Sequence, residues 1–393
     1  MRDPLHAGSP RSGSGRGSRV LYGITVPESA ATLLRGQLTW FREQGWDVHL
    51  ATSPGSLLDV VAEREKIVVH PLPMERETSP LRDLVALVRW IVLLVRLRPD
   101  VLNVGTPKAG LLGTIAGWLT RVPRRVYVMR GLRLEETSGL QRRILWLAER
   151  LTILLATDVV CVSHSLRDEA RALGLLPRNH AVVIGHGSSN GVNPDRWRFD
   201  DADPVATRAG WGVRPDELVV GFVGRIAFAK GVQDLLGALG ELDGLPVRGL
   251  LVGPVEDEAL RSAIAALGDR VVSRDGWTSD LDHVYAGIDV LCLPTRKEGF
   301  PNVVLEAALA GVPAITTTAT GSRDSVVPGV TGWLVEPGDV GQLADAIRTC
   351  AEDREGVRAA GRAARERALR DFRPAGIWSG LESVYRRGSA GLS

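Results

Sequence analysis

Two glutamates, Glu298 and Glu306, are separated by seven intervening residues in the stretch RKEGFPNVVLEAALAGVP, across what reads as a strand, a turn and a helix. About seventy residues upstream, FVGRIAFAKG places Arg225 and Lys230 just after another apolar strand. Carboxylates accept hydrogen bonds from paired hydroxyls, and an arginine fork beside a mobile ammonium neutralises adjacent phosphates. The four side chains describe a cleft that holds a diphosphate with two cations and sugar-like hydroxyls with two carboxylates. Fixed positive charge where a departing diphosphate builds negative charge is electrostatic catalysis. Loss of one such group commonly costs on the order of 2.7–4 kcal/mol of barrier. Singly, the motifs also read as an ordinary surface pair and an exposed basic turn; their co-occurrence, order and placement at strand ends carry the chemistry.

The elements that must position these groups alternate along nearly the whole chain, short apolar strands with helical stretches, the pattern of parallel sheets with crossover helices. Strands are predicted at 19–25, 47–52, 67–73, 100–106, 124–130, 158–164 and 181–187, and helices at 30–44, 57–65, 80–97, 108–120, 139–156 and 165–173. After a linker at 190–204 the rhythm restarts, with strands at 217–224, 247–254, 270–276, 289–295, 313–318 and 332–337. Helices are predicted near 231–240, 256–267, 280–287, 301–310 and 339–351, and the final segment is amphipathic through Ile377, Trp378, Leu381, Val384 and Tyr385. Open parallel sheets bind ligands at the carboxyl ends of their strands. Glu298 follows the strand DVLCLPT by three residues and so projects into such a crevice. Pro301 suits a first helical position, Glu306 falls in the second turn, and the free N–H groups of that helix make a phosphate seat.

Composition sets the bounds. The chain has 393 residues, enough for two domains, and 44% hydrophobic with 24% charged residues is the balance of a soluble globular protein. A net charge of +2 implies no nucleic-acid partner. Only Lys66, Lys108, Lys230 and Lys297 among the 48 basic residues are lysines, so a lysine inside a motif invites a functional reading. Cys161, Cys292 and Cys350 match no metal-ligand spacing and suggest reduced thiols in the cytoplasm. Residues 1–18 are polar and Gly/Ser-rich and read as a disordered tail without a signal peptide's apolar run. The most apolar window, 84–97, is interrupted by Arg89 and Arg96 and is too short to span a bilayer.

GRIAFAKG with EGFPNVVLEA resembles the donor site of glycosyltransferase family 4, retaining enzymes of the GT-B fold, in which two Rossmann-like doubly wound α/β domains face a central cleft. The resemblance covers roughly residues 19–387 and is more specific in the second half. It implies that Arg225 and Lys230 take the diphosphate, that Glu298 contacts the donor sugar and that Glu306 contacts the ribose. The backbone from Gly299 through Phe300 and Pro301 to Asn302 would line sugar and phosphates, and Gly224, just before the cationic loop, would also bind the donor. It implies a UDP-sugar donor, no metal and no cofactor. It also implies a last helix that crosses back, giving an acceptor domain of 19–196 plus 375–393 and a donor domain of 197–374.

The first half departs from the better-known pattern. Several family members carry a histidine after the fifth strand, where this chain reads VMRGLRLEE, with Arg130. Arg130 suits an acceptor phosphate or carboxylate, or else an ion pair with Glu135 or Glu136. Arg35 and Gly36 in RGQL, and Lys108 in TPKAG, are further acceptor-side candidates; a solvated lysine at a helix start is the plain alternative for Lys108. RGQL resembles a subgroup associated with bacterial cell-surface polysaccharide assembly, which implies a glycan or lipid-linked acceptor. The helices at 80–97 and 139–156 mix Arg with Leu, Ile and Trp. They suit either core packing or peripheral contact with the inner face of the cell membrane. Alternatives are transfer to a small secondary metabolite, a GT-B-fold UDP-sugar epimerase, and a silent nucleotide-sugar-binding protein.

Overall fold

The computed structural model describes residues 17–75, 79–177 and 181–387; the tail expected at 1–18 lies, apart from Gly17 and Ser18, outside them. Within the described residues thirteen strands form two parallel sheets. The first comprises β1 (Arg19–Gly23), β2 (Asp47–Thr52), β3 (Val68–Pro71), β4 (Val101–Val104), β5 (Arg124–Met129), β6 (Asp158–Cys161) and β7 (Ala181–Val182), in the order β3-β2-β1-β4-β5-β6-β7. The second comprises β8 (Leu218–Val223), β9 (Val247–Val252), β10 (Val271–Arg274), β11 (Val290–Leu293), β12 (Ala314–Thr317) and β13 (Gly332–Val335), in the order β10-β9-β8-β11-β12-β13. The winding reverses between β1 and β4 and again between β8 and β11. Such switch points leave a crevice at the carboxyl ends of the strands. The central strands are buried throughout, which is why they read as unbroken apolar runs.

The first sheet carries α1 (Pro27–Leu33), α2 (Gln37–Glu43), α3 (Leu57–Glu65), α4 (Pro80–Leu97), α5 (Pro107–Leu119), α6 (Gly139–Leu155) and α7 (His164–Ala172). After it come α8 (Pro204–Gly210), α9 (Val232–Glu241), α10 (Glu258–Ala266), α11 (Leu281–Gly287), α12 (Asn302–Leu309), α13 (Val340–Glu352), α14 (Arg354–Asp371) and α15 (Pro374–Arg386). Tyr385 of α15 packs 5.2 Å from Phe41 and 5.6 Å from Trp46, so the last helix lies on the first sheet's side. The two crossing segments meet where the Val192 N–H donates to the Phe372 carbonyl at 2.9 Å.

Four expectations are corrected. The helix predicted at 30–44 breaks into α1 and α2 at Gly36, whose φ of +76° is left-handed. The Glu65 carboxylate holds the break, accepting from the N–H groups of Gly36 at 3.0 Å and Thr39 at 3.1 Å. The strand predicted at 181–187 is only two residues long, because Gly185 and Gly187 adopt φ of +55° and +102°. Pro301 is the residue before α12, not its first: its ψ of 101° is extended. Finally, α14 was unforeseen. Its buried side is Val357, Ala360, Gly361, Ala364 and Ala368, too small to raise an apolar signal. A Cβ at Gly361 would lie 1.9 Å from the Gly311 carbonyl oxygen, which is why a small residue is needed there. Among the described residues no helix is long and apolar enough to cross a membrane.

Candidate active site

The loop after β8 turns on glycine. Gly224 has φ +146°, and Gly231, at φ +71°, sits so close to the next strand that a Cβ would lie 1.8 Å from the Pro294 carbonyl oxygen. Between them the loop delivers Lys230, whose Nζ lies 2.5 Å from Glu298 Oε1. Glu298 is held from behind by backbone. Its N–H donates to the Thr320 carbonyl at 2.8 Å. Gly321 packs on the Glu298 and Gly299 carbonyls so tightly that a Cβ would lie 2.3 and 2.4 Å from their oxygens. Arg225 stands at the rim, half exposed, with Nη1 2.9 and 3.0 Å from the two carboxylate oxygens of Glu256.

Across the cleft lies Arg130. The backbones of the two halves touch here, since a Cβ on Gly299 would be 2.0 Å from the Arg130 carbonyl oxygen. The Arg130 guanidinium donates to Ser189 Oγ and to the Gly105 carbonyl, each at 3.0 Å. Burial lowers it to about 10, with Tyr385, Tyr22 and Tyr127 opposing, and it stays charged at neutral pH. The side chains of Glu135 and Glu136, the acidic partners considered for it, lie outside what the structure describes. A cavity of about 350 Å³ joins the two sides, lined by Arg130, Arg133, Arg225, Lys230, Lys297 and Glu298 among others. Five cations there face a single carboxylate.

Tyr127 also lines this cavity and donates to Glu149 Oε1 at 2.7 Å. Burial pushes the Glu149 carboxyl from 4.5 up to about 7. The folded chain therefore binds this proton more tightly than the unfolded chain. Its contribution to stability is complete below about pH 4.5 and is lost as pH rises through about 7. Glu149→Gln is expected to flatten that decline, by up to about 3 kcal/mol, in urea unfolding compared at acidic and alkaline pH. An unchanged difference between the two would place the carboxyl in water.

The structure divides the sequence-predicted residues between two chambers. Arg225, Lys230, Glu298 and Gly299 line the first. Glu306, Asn302, Arg35 and Gly36 line a neighbouring cavity of about 480 Å³ that Arg196 and Trp197 of the linker also face. Glu306 accepts from the Tyr285 hydroxyl at 2.8 Å, and burial raises its carboxyl above the usual range. Arg35 is held below its ordinary value by burial and by the like charges of Arg196 and Arg64. Asn302 Oδ1 accepts from Ser188 Oγ at 3.2 Å across the cleft. Phe300 packs with its ring centroid 5.4 Å from that of Phe372, tilted by 48°, so its ring serves the core. Lys108 is neither solvated nor in either chamber: its ammonium lies 2.7 Å from Asp83. Ser163 accepts from the Leu166 N–H and caps α7.

Sequence reasoning missed Lys297, Tyr285, Trp197 and the contact between Ser165 and Asp324, which joins the halves. Lys297 carried a usable signal, being one of four lysines and next to Glu298. The others have no local pattern. Among the described residues no group of three His, Cys, Asp or Glu side chains could hold a metal.

Two doubly wound parallel sheets facing a strongly cationic cleft make this a GT-B fold, and solved structures share it. Anabaena HepE in complex with UDP-glucose matches with a TM-score of 0.78 at 23% identity, covering 93% of this chain and 99% of that one. A glycosyltransferase from Rickettsia africae matches with a TM-score of 0.77 at 16% identity, covering 94% and 98%. Residues 217–353 match the family described as glycosyl transferases group 1, and residues 30–187 the glycosyl transferase 4-like domain. The chain is also similar to the capsular polysaccharide biosynthesis glycosyltransferase CapM of Staphylococcus aureus, 34% identical over 378 residues, 94% of this chain and 97% of that one. The chain belongs to the group 1 glycosyltransferases and is an enzyme of that class.

Proposed function

We propose that this glycosyltransferase moves a hexose or N-acetylhexosamine from a UDP-sugar to a lipid-linked or oligosaccharide acceptor in cell-surface polysaccharide assembly, with retention at the anomeric carbon. The observation that carries this is the cavity in which Lys230 and Glu298 meet under an excess of cations. Diphosphate oxygens would compete with Glu298 for the Lys230 ammonium, freeing the carboxylate to accept from sugar hydroxyls. Lys230 and Arg225 then stabilise the departing UDP, the work a metal does elsewhere, so no metal is required. Glu306, one helical turn deeper, takes the ribose, and the backbone from Gly299 to Asn302 borders sugar and phosphates. The name of CapM supports the capsular setting, and the UDP-glucose held by HepE supports the donor. The acceptor reaches the cleft from the first half, on the cytoplasmic side of the membrane.

Incubation with a panel of UDP-sugars separates this function from its rivals. Release of UDP with incorporation of sugar into acceptor supports transfer. An isomerised nucleotide sugar would indicate an epimerase, and a thermal shift with no turnover a silent binder; ligand at a hundred times its dissociation constant stabilises by about 2.7 kcal/mol.

Arg130 is proposed to hold the acceptor's anionic group. Arg130→Ala should lower transfer about ten- to a hundredfold, the worth of one charge-assisted hydrogen bond, with UDP affinity nearly unchanged. Gly105→Ala should reproduce this without replacing the arginine, because the new Cβ would lie 1.4 Å from the Arg130 Nη1 and displace that side chain. A Gly105→Ala enzyme with full activity would remove Arg130 from acceptor binding.

A further inference from the structure

From the outer face of the first sheet we infer a docking surface for an anionic lipid bilayer, built by α4 and α6. It rests on the lipid-linked acceptor proposed above only for its purpose; the surface stands on its own geometry. An ordinary surface helix buries its apolar stripe and shows water a mixed polar face. Here α4 buries Ala86, Trp90 and Leu94 and yet exposes a second apolar row. Leu81 is 80% exposed, Leu84 59%, and Val85, Val88, Val92 and Val95 all exceed 40%. Helix α6 does the same with Leu140 at 73%, Leu147 at 61% and Leu154 at 58%. Of the twenty large hydrophobic residues exposed among the described residues, thirteen lie on α4, α6 and the end of α5 between them. So much clustered apolar surface is rare on a monomer exposed only to water.

The exposed charged side chains of the two helices themselves have one sign. Arg89, Arg96, Arg142 and Arg143 are exposed and interleave the aliphatic rows. The acids on these helices turn inward: Asp83 onto Lys108 at 2.7 Å, Glu149 onto Tyr127 at 2.7 Å. A second copy of the chain is a poor occupant, since a self-complementary contact would set these arginines against each other. Apolar rows with an excess of cations, the one outward acid among the described residues of this face, Glu75, being neutralised by Arg82 of α4, match the acyl and headgroup layers of an anionic membrane. The placement serves the cleft as well. α4 and α6 both begin at the carboxyl ends of strands, where Arg130 and Arg133 border the cavity. A diphosphate anchored in the bilayer would therefore meet the cleft at the edge of this face.

The test is co-sedimentation of the full chain with phosphatidylcholine vesicles with and without phosphatidylglycerol. Binding is expected to require the anionic lipid and to weaken with salt. Arg89→Ala, Arg96→Ala, Arg142→Ala and Arg143→Ala should each weaken it about fivefold, and all four together by several hundredfold. Leu84→Ser with Ile144→Ser should also release the protein, while stabilisation by UDP persists in every variant as the check on folding. Absent binding, binding indifferent to phosphatidylglycerol, or a dimer that these same substitutions dissociate would overturn the assignment. Loss of UDP-sugar cleavage with vesicle binding intact would instead count against the proposed reaction.

Discussion

Lys230→Ala is expected to lower the rate of sugar transfer by about 10²–10³-fold, the usual cost of removing one preorganised group that stabilises developing charge. The loss should fall mainly on kcat, because the charge on the leaving UDP is greatest as the glycosidic bond breaks. Lys230→Arg is not expected to restore full activity. The loop is pinned by Gly231 against the Pro294 carbonyl, leaving little freedom to re-aim a longer planar fork. A Lys230→Ala enzyme within a few fold of the parent would move the diphosphate out of this cavity.

Glu298→Ala is expected to cost about a hundredfold or more in transfer, because a carboxylate gripping two hydroxyls makes charge-assisted bonds of about 1.5–3 kcal/mol each. The fold should survive. The Glu298 backbone is fixed by Thr320 and by the close approach of Gly321, and its side chain accepts from Lys230. UDP alone should bind nearly as well, since the contact is with the sugar. Steady-state kinetics with thermal shifts by UDP and UDP-sugar check both halves. Equal losses of UDP and UDP-sugar affinity would place Glu298 on the nucleotide instead.

Much of the fold was legible because buried parallel strands are unbroken apolar runs, and β4, β8 and β11 announce themselves. What escaped was set by packing. The helix predicted at 30–44 breaks because Gly36 is left-handed and Glu65, on α3, caps the second piece; neither fact has a local signature. The apolar side of α14 is mostly alanine and glycine, chosen for close approach to Gly311 and not for hydrophobicity. In the site, the convergence of Lys230 and Glu298 was readable from strand-end placement. The separation of Glu306 into a second chamber was not, because it depends on Tyr285, Trp197 and Arg35, which only the folded chain brings near α12. Lys108 shows the converse: its helix-start position was read correctly, but Asp83 on α4 claims its charge.

The most direct test is transfer of labelled sugar from UDP-glucose, UDP-galactose and the UDP-N-acetylhexosamines to a membrane lipid extract, with UDP release followed in parallel. At least one donor should yield UDP together with labelled lipid whose new glycosidic bond keeps the donor's anomeric configuration, and Lys230→Ala and Glu298→Ala should each lower both signals by about a hundredfold or more. A donor that binds without cleavage, or UDP release that survives both substitutions, would contradict the account.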